Sequence, residues 1–327
     1  MPDIHRPRLH SNAGGAITCE HSSLQNFSEP EMATPWSTVQ FSTVSEKFVL
    51  PEHQRPTVKH DEYRDLDIPV IDLAPYFEGQ RAALQTIIAQ VKDSCSNWKF
   101  FHVVNHGVDE ARLSRIEHQP QQFFKLDSYN EYTSKMQELS ELFFHIIITG
   151  LGVDSTHFER ITKNAGGLFR WNYYPPCPEP HKTIGLKPHT DFNLLTILHT
   201  SNVGGLQIWL EGKWSGIRPR CQSSLKLQHE TIKCSWVQIT VTIHGGLLTN
   251  ARCEGPLHRA VVNATVPRIS HSRTSTCHVP TTVIVAHPAL VNENNPSKYI
   301  PFTFDAYMKA KQMQLFNTLE LFTRKDS

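Results

Sequence analysis

The sequence predicts an α+β protein with a helical front half, an antiparallel β back half and a closing helix, and three observations predict it. Apolar residues recur at helical spacing in two long stretches before residue 150. From about Leu168 the texture changes to short apolar runs (FRWNYYPPCPEP, LLTIL, GGLQIWL) punctuated by Pro and Gly. Such runs suit an antiparallel sandwich or barrel rather than βαβ units. A last helix is expected from about Asp305 to Leu321.

Taken in order, residues 1–47 mix Ser, Thr, Pro, Gly and His with no apolar period and read as a disordered leader. Order is expected from Phe48. Ile68-Pro-Val-Ile-Asp72-Leu73 is a short β-branched strand. Residues 79–97 place Leu84, Ile87, Ile88, Val91 and Cys95 on one helix face. Phe100 to Val104 is an apolar strand stopped by the Asn105-His106-Gly107 turn. A second helix over 130–149 carries Tyr132, Met136, Leu139, Phe143, Ile146 and Ile147 as its stripe. The expected units are a leader 1–47, a helical region 48–160, a β domain 165–287 and a C-terminal extension 288–327.

Composition narrows the class. With 32 Lys+Arg against 31 Asp+Glu the net charge is +1, without the basic excess of a nucleic-acid or membrane-surface protein. No stretch approaches the roughly 20 apolar residues of a membrane span, and the N-terminus lacks the apolar core of a secretory signal. Seven cysteines with no C-x-x-C pair speak against a disulfide framework or a cysteine zinc site. A reducing, cytoplasmic setting, inert thiols and a monomer are the expectation. Nineteen histidines are too many for count alone to identify ligands, so spacing must.

Lys187-Pro-His189-Thr-Asp191 is the informative unit. On a strand, residues two apart leave the same face, so an imidazole nitrogen and a carboxylate oxygen could reach one divalent metal. The pair could equally be an exposed His and Asp, and a third ligand is needed. His258, just before the apolar run Ala260-Val-Val, is the best placed; Arg268 and Ser270 follow, again two apart. Two His and one carboxylate on one face of Fe(II) leave the opposite positions open, as in non-haem iron oxygenases. A 2-oxo acid can chelate such an iron through its keto and carboxylate oxygens. Arg268, a planar fork of donors, could grip that acid's remote carboxylate, with the Ser270 hydroxyl adding a bond. His102 and His106 belong to the N-terminal strand and turn and read as structural, and Phe192, Leu194 and Leu195 read as core.

At these motifs the chain resembles the plant-type 2-oxoglutarate/Fe(II)-dependent dioxygenases, relatives of isopenicillin N synthase, flavonol synthase, anthocyanidin synthase and the gibberellin oxidases. The resemblance runs over about residues 48–320: IPVIDL at 68–73, FFHVVNHGV at 100–108, NYYPPCPEP at 172–180, HTDFNLLTIL at 189–198, VGGLQIWLEGKW at 203–214, GPLHRAVVN at 255–263, PRIS at 267–270 and YIPFTFDAYM at 299–308. It implies a double-stranded β-helix (jelly roll) with a helical N-terminal region packed on it. It implies iron held by His189, Asp191 and His258, and the distal carboxylate of 2-oxoglutarate held by Arg268 and Ser270. Asn172 and Tyr174 would lie near that co-substrate's other end. The implied reaction consumes dioxygen and decarboxylates 2-oxoglutarate to succinate and CO2, while a small organic substrate is hydroxylated or desaturated; ascorbate is a supporting reductant.

The resemblance breaks twice. After Leu126 the chain enters the helix near Tyr132 without a segment that relatives carry and that helps form the substrate pocket. Between about 219 and 249 the run CQSSLKLQHETIKCSWVQITVTIHGGLLTNARCEG replaces a family core strand. Flanks that match around interiors that do not are the pattern of a skipped exon and a retained intron or frameshift, which sequencing the transcript would decide. For the chain as it stands, burying Gln228, His229, Glu230 and Lys233 in a core strand would be unfavourable by several kcal/mol. The alternative is that they loop out and the alternating VQITVTI, 237–243, takes the strand's place. The expected function is an oxygenase acting on a flavonoid-, terpenoid/gibberellin- or alkaloid-like molecule. The alternatives are a catalytically impaired relative that keeps the ligands without a formed pocket, and an ascorbate-using oxidase of the same superfamily. A zinc hydrolase would need a general-base Glu beside the ligands, and none is placed there.

Overall fold

The computed structural model describes residues 8–11, 17–20, 42–64, 66–109, 127–154, 156, 167–191, 193–219, 224–227, 230–233, 237–241, 246, 248–275, 281, 283–312 and 318–324. Of the leader, β1 (Arg8–Ser11) and β2 (Ile17–Glu20) form an antiparallel pair. The expected disorder of residues 1–7, 12–16 and 21–41 lies outside the described residues.

The front half then builds one wall. In β3 (Val70–Asp72) the last carboxylate stops the strand. Asp72 Oδ1 accepts from the Ala74 amide at 2.9 Å, opening α1 (Ala74–Phe77), and from Asn105 Nδ2 at 2.7 Å. The helix α2 (Arg81–Asn97) buries Ile87, Ile88, Val91 and Cys95 as its spacing predicts. It ends where Lys99 turns left-handed (φ 66°) and the Trp98 and Lys99 amides both bond the Ser94 carbonyl. The next strand, β4 (Phe100–Val104), is buried throughout because it is covered on both faces. Its Phe101 and Val103 meet the helices, while Phe100 packs with Leu206 and Ile208 across the interior. The long helix α3 (Asp127–Leu151) follows the helical period, its stripe from Tyr132 to Ile147 buried against α2 and the sheet.

The remaining strands are β5 (Gly167–Tyr174), β6 (Leu186–His189), β7 (Leu195–Thr200), β8 (Leu206–Leu210), β9 (Lys213–Gly216), β10 (Ser224–Leu227), β11 (Glu230–Lys233), β12 (Val237–Val241), β13 (His258–Ala260), β14 (Arg268–Ser275), β15 (Val283–Ile284) and β16 (Phe302–Thr303). Two facing sheets form a double-stranded β-helix: β3-β4-β12-β7-β14-β5, in which only β3 with β4 is parallel, against β6-β13-β8-β9. In the altered segment residues 237–241 take the strand's place and Glu230–Lys233 stands outside the barrel sheets, while Gln228, His229, Thr242 and Ile243 lie outside the described residues. The segment's β12 sits in the middle of the larger sheet, Ile239 standing between Phe101 and Ile197 in register. Outside both barrel sheets, β10 and β11 pair only with each other. The closing helix is α4 (Phe304–Gln312), followed by a 3-10 turn at Thr318–Phe322; residues 313–317 of the expected helix, and Phe192, lie outside the described residues. Among the described residues, no helix is long and apolar enough to cross a membrane.

Connections fix the two ends of the barrel. The links 175–185, 201–205 and 261–267 join β5 to β6, β7 to β8 and β13 to β14, so Tyr174, Leu186, Thr200, Leu206, Ala260 and Arg268 gather at one end. Packing there is tight. A Cβ on Gly185 would stand 2.5 Å from Tyr174 Cδ1, and one on Gly205 (φ +138°) 3.1 Å from Arg268 Cδ. His189, His258, Arg170 and Thr196 lie toward the opposite end.

Candidate active site

A cavity of about 270 Å3 runs between the sheets and contains both groups that the sequence singled out. At one end stand His189, Asp191 and His258, with one donor atom from each within 4.8 Å of the others. His189 and His258 are register partners across β6 and β13. Asp191 lies two residues beyond His189, past the end of β6 rather than on it, and the turn brings its Oδ1 to 3.6 Å from both Nε2 atoms. Each ring is set from behind: His189 Nδ1 bonds the Lys187 carbonyl at 2.8 Å and His258 Nδ1 the Pro256 carbonyl at 3.1 Å. A carbonyl only accepts, so both Nδ1 atoms carry a proton, which leaves Nε2 as the nitrogen that each ring can offer a metal. Two imidazole nitrogens and one carboxylate oxygen on one side of a cavity are a donor set suited to Fe(II).

At the other end Arg268 is 2% exposed. Its Nη1 donates to Ser270 Oγ at 3.4 Å and its guanidinium lies 5.2 Å from the centre of the Tyr174 ring. Among the described residues it has no carboxylate partner, and Nε has no hydrogen-bond partner. Burial pulls the guanidinium below its ordinary range against the attraction of the Tyr174 phenol, which burial in turn raises. A buried cation without an anion is unfavourable by several kcal/mol, so this end is made for an anionic group. The structure differs from expectation over Tyr174: antiparallel register sets it opposite Arg268, at the same end, and sets Asn172 opposite Ser270, one step toward the metal ligands.

Other residues expected to be structural divide. His106 Nδ1 accepts from the Val108 amide at 3.2 Å and holds the turn after β4. His102 is buried and lines a small second cavity beside Arg268. Burial raises the Cys177 thiol, as inertness requires, whereas the bond between Cys95 and Cys253 raises the first and lowers the second. Two features were not singled out from sequence. Arg170 shares a strand face with Asn172 and Tyr174, a period-two signal available in FRWNYY. Tyr307 of α4 is pushed up to about 12, first by burial and also by the Asp191 charge, which places the closing helix at the metal-ligand end.

Comparison with known proteins decides the family. Residues 165–274 match the 2OG-Fe(II) oxygenase superfamily, and residues 68–131 the N-terminal region described as non-haem dioxygenase in morphine synthesis, together more than half of the chain. This chain belongs to the 2-oxoglutarate/Fe(II) oxygenase superfamily. It is a dioxygenase whose family chemistry uses Fe(II) and 2-oxoglutarate with a small-molecule substrate and dioxygen. Gibberellin 20 oxidase 1-A of Triticum aestivum is 28% identical over 86% of this chain and 91% of that one. Flavanone 3-dioxygenase 2 of Oryza sativa subsp. japonica is 27% identical over 88% and 96%. The oxygenase shares its fold with a crystal structure of JOX2 in complex with 2OG, Fe and JA, at TM-score 0.71 and 22% identity over 88% of this chain and 96% of that one.

Proposed function

We propose that this oxygenase hydroxylates or desaturates a small, largely apolar metabolite of the flavonoid, terpenoid/gibberellin or alkaloid kind. In this reading His189, Asp191 and His258 hold the iron, and Arg268 with Ser270 holds the distal carboxylate of 2-oxoglutarate. The observation that carries it is the pairing of a three-donor cluster with a buried, acid-free guanidinium in one cavity. When bound, the iron supplies dioxygen activation coupled to decarboxylation of 2-oxoglutarate to succinate and CO2. The chain's own residues do the rest. The Lys187 and Pro256 carbonyls fix each His ring through Nδ1 and leave Nε2 as the nitrogen aimed into the site. The planar fork of Arg268 fixes the co-substrate's orientation, and Ser270 adds a second donor. Leu186, Leu198, Leu206 and Ile208 give the cavity apolar walls that exclude water and suit an apolar substrate. The names of the gibberellin and flavanone relatives support the substrate classes.

Anaerobic titration of the apo-protein with Fe(II) and then 2-oxoglutarate tests this without a known substrate. A visible charge-transfer band that is lost in His189→Ala is expected. A folded protein that binds no Fe(II), or shows no band, would overturn it.

A further inference from the structure

Arg170 is a second guanidinium with no counter-ion among the described residues. Its side chain lines the same cavity, its Nε is buried without a hydrogen-bond partner, and among the described residues no carboxylate pairs with it. Arg259 and Arg273, which unlike the half-buried Arg170 are fully buried, have company. Arg259 donates to Gln207 Oε1 at 2.8 Å and lies over the Trp214 ring at 4.1 Å, and Arg273 lies over Phe169 at 5.0 Å.

Its position separates it from the co-substrate's anion end. The register sets Arg170 opposite Ser272, four residues along β5 from the Tyr174–Arg268 row. That is a backbone displacement of roughly 13 Å at the usual rise of a strand. On the facing sheet, the Tyr174–Arg268 row meets Gly185 and Gly205, and four residues on from Gly185, at the end of β6, is His189. Arg170 therefore springs from the level of His189, Asp191 and His258, across the cavity from them, where a reacting substrate has to sit. Charge points the same way: the cavity lining carries Arg170, Arg268, Lys187 and Arg259 against the Asp191 carboxylate, a cationic excess that suits anionic ligands.

We propose that Arg170 anchors an acid group of the primary substrate, and that the substrate is a small apolar monocarboxylate. The proposal rests on the iron and 2-oxoglutarate reading and names the substrate class for that site. The Arg170 fork receives the carboxylate, and the Leu198 and Ile208 walls receive the hydrocarbon. The C–H bonds presented to the metal end are then those a fixed distance from the acid group. Specificity follows from this geometry, because a neutral analogue leaves the Arg170 guanidinium without an acid to receive.

The test uses full-length protein loaded anaerobically with Fe(II) and 2-oxoglutarate, with the chelate band confirming loading. Cyclohexylacetate, 4-phenylbutyrate and octanoate are titrated calorimetrically beside their methyl esters, into wild type, Arg170→Leu and Arg170→Lys. The acids are expected to bind wild type and to lose roughly 10- to 100-fold in Arg170→Leu, the worth of a charge-assisted bond. Arg170→Lys should recover part of that loss, and the esters should not distinguish wild type from Arg170→Leu. Three results overturn the proposal while the band is present: no acid binds wild type, acids and esters lose equally, or the dissociation constant of 2-oxoglutarate itself rises in Arg170→Leu. Absence of the band in wild type would instead sink the reading beneath it.

Discussion

His258 stands directly across the β6–β13 ladder from His189, their ring centroids 4.3 Å apart and their planes inclined at 53°. Cross-strand neighbours on one face are held as close as backbone pairing allows. The two imidazoles thus converge because the register is fixed, and not because either chooses a rotamer freely. Asp191 completes the set from the following turn.

Removing any member should abolish tight iron binding. His189→Ala, Asp191→Ala and His258→Ala are each expected to weaken Fe(II) at least about 100-fold, since each deletes one of three donors and changes to the groups behind a ligand alone reach roughly 10- to 100-fold. Equilibrium binding of Fe(II) under anaerobic conditions measures this. Circular dichroism should stay native, because all three residues are only half-buried.

Much of this site was readable before the fold was known, and the reasons are local. The Arg268–Ser270 spacing uses the strand's period of two, which sequence displays directly, whereas Asp191, close behind His189 in sequence, reaches the site from the turn after β6. The buried stripe of α3 was legible because Tyr132, Met136, Phe143 and Ile146 repeat at the helical period. What sequence did not display is pairing across the barrel. Nothing near Tyr174 says that it lies opposite Arg268, because that relationship is a register between strands almost a hundred residues apart. Arg170 escaped for a related reason: a charged residue in an apolar strand reads as edge or surface until its partners are known. The altered segment was legible only as two options, and the vacancy between β4 and β7 selected β12.

That central placement makes β12 unusually intolerant. Ile239→Pro removes an amide from a strand bonded on both sides and should prevent cooperative folding or reduce stability by about 3 kcal/mol or more. Thr231→Pro, in the β10–β11 hairpin outside both barrel sheets, should leave the unfolding midpoint nearly unchanged. Urea unfolding of the pair compares them. Equal effects would mean that 237–241 is not a barrel strand.

A stack of rings beneath the other face of the sheet gives the fold a pH dependence. His271 lies between His199, 4.5 Å away centroid to centroid, and Trp171, 5.7 Å away. Burial first, then the neighbouring imidazoles, hold His199 down to about 3 and His271 well below its ordinary value. Both are neutral in the native state, whereas unfolding frees them to protonate below about 6.5. The unfolded chain therefore binds more protons, and stability falls as pH falls through that value, by about 1.4 kcal/mol per pH unit for each His. Denaturant titrations between about pH 6.5 and 5, above the carboxylate range, should show this slope. His199→Phe with His271→Phe should flatten it; an unchanged slope would assign the acid lability elsewhere.

Arg268 sets function against stability. Its guanidinium is buried with no acid to neutralise it among the described residues, so the apo-fold carries an uncompensated desolvation penalty that bound 2-oxoglutarate would relieve. Arg268→Met keeps the length and deletes the charge. The variant should lose the 2-oxoglutarate chelate band and yet unfold at a higher temperature than wild-type apo-protein, a trade common at binding sites. Ser270→Ala removes a single neutral donor and should raise the 2-oxoglutarate dissociation constant only about 2- to 13-fold, the range of 0.5–1.5 kcal/mol per hydrogen bond. Differential scanning calorimetry with and without 2-oxoglutarate separates the two terms, since added co-substrate should raise the midpoint of wild type and leave Arg268→Met where it was. An Arg268→Met protein that is less stable than wild type without ligand would show that the guanidinium is held by the fold for packing, and not kept in readiness for an anion.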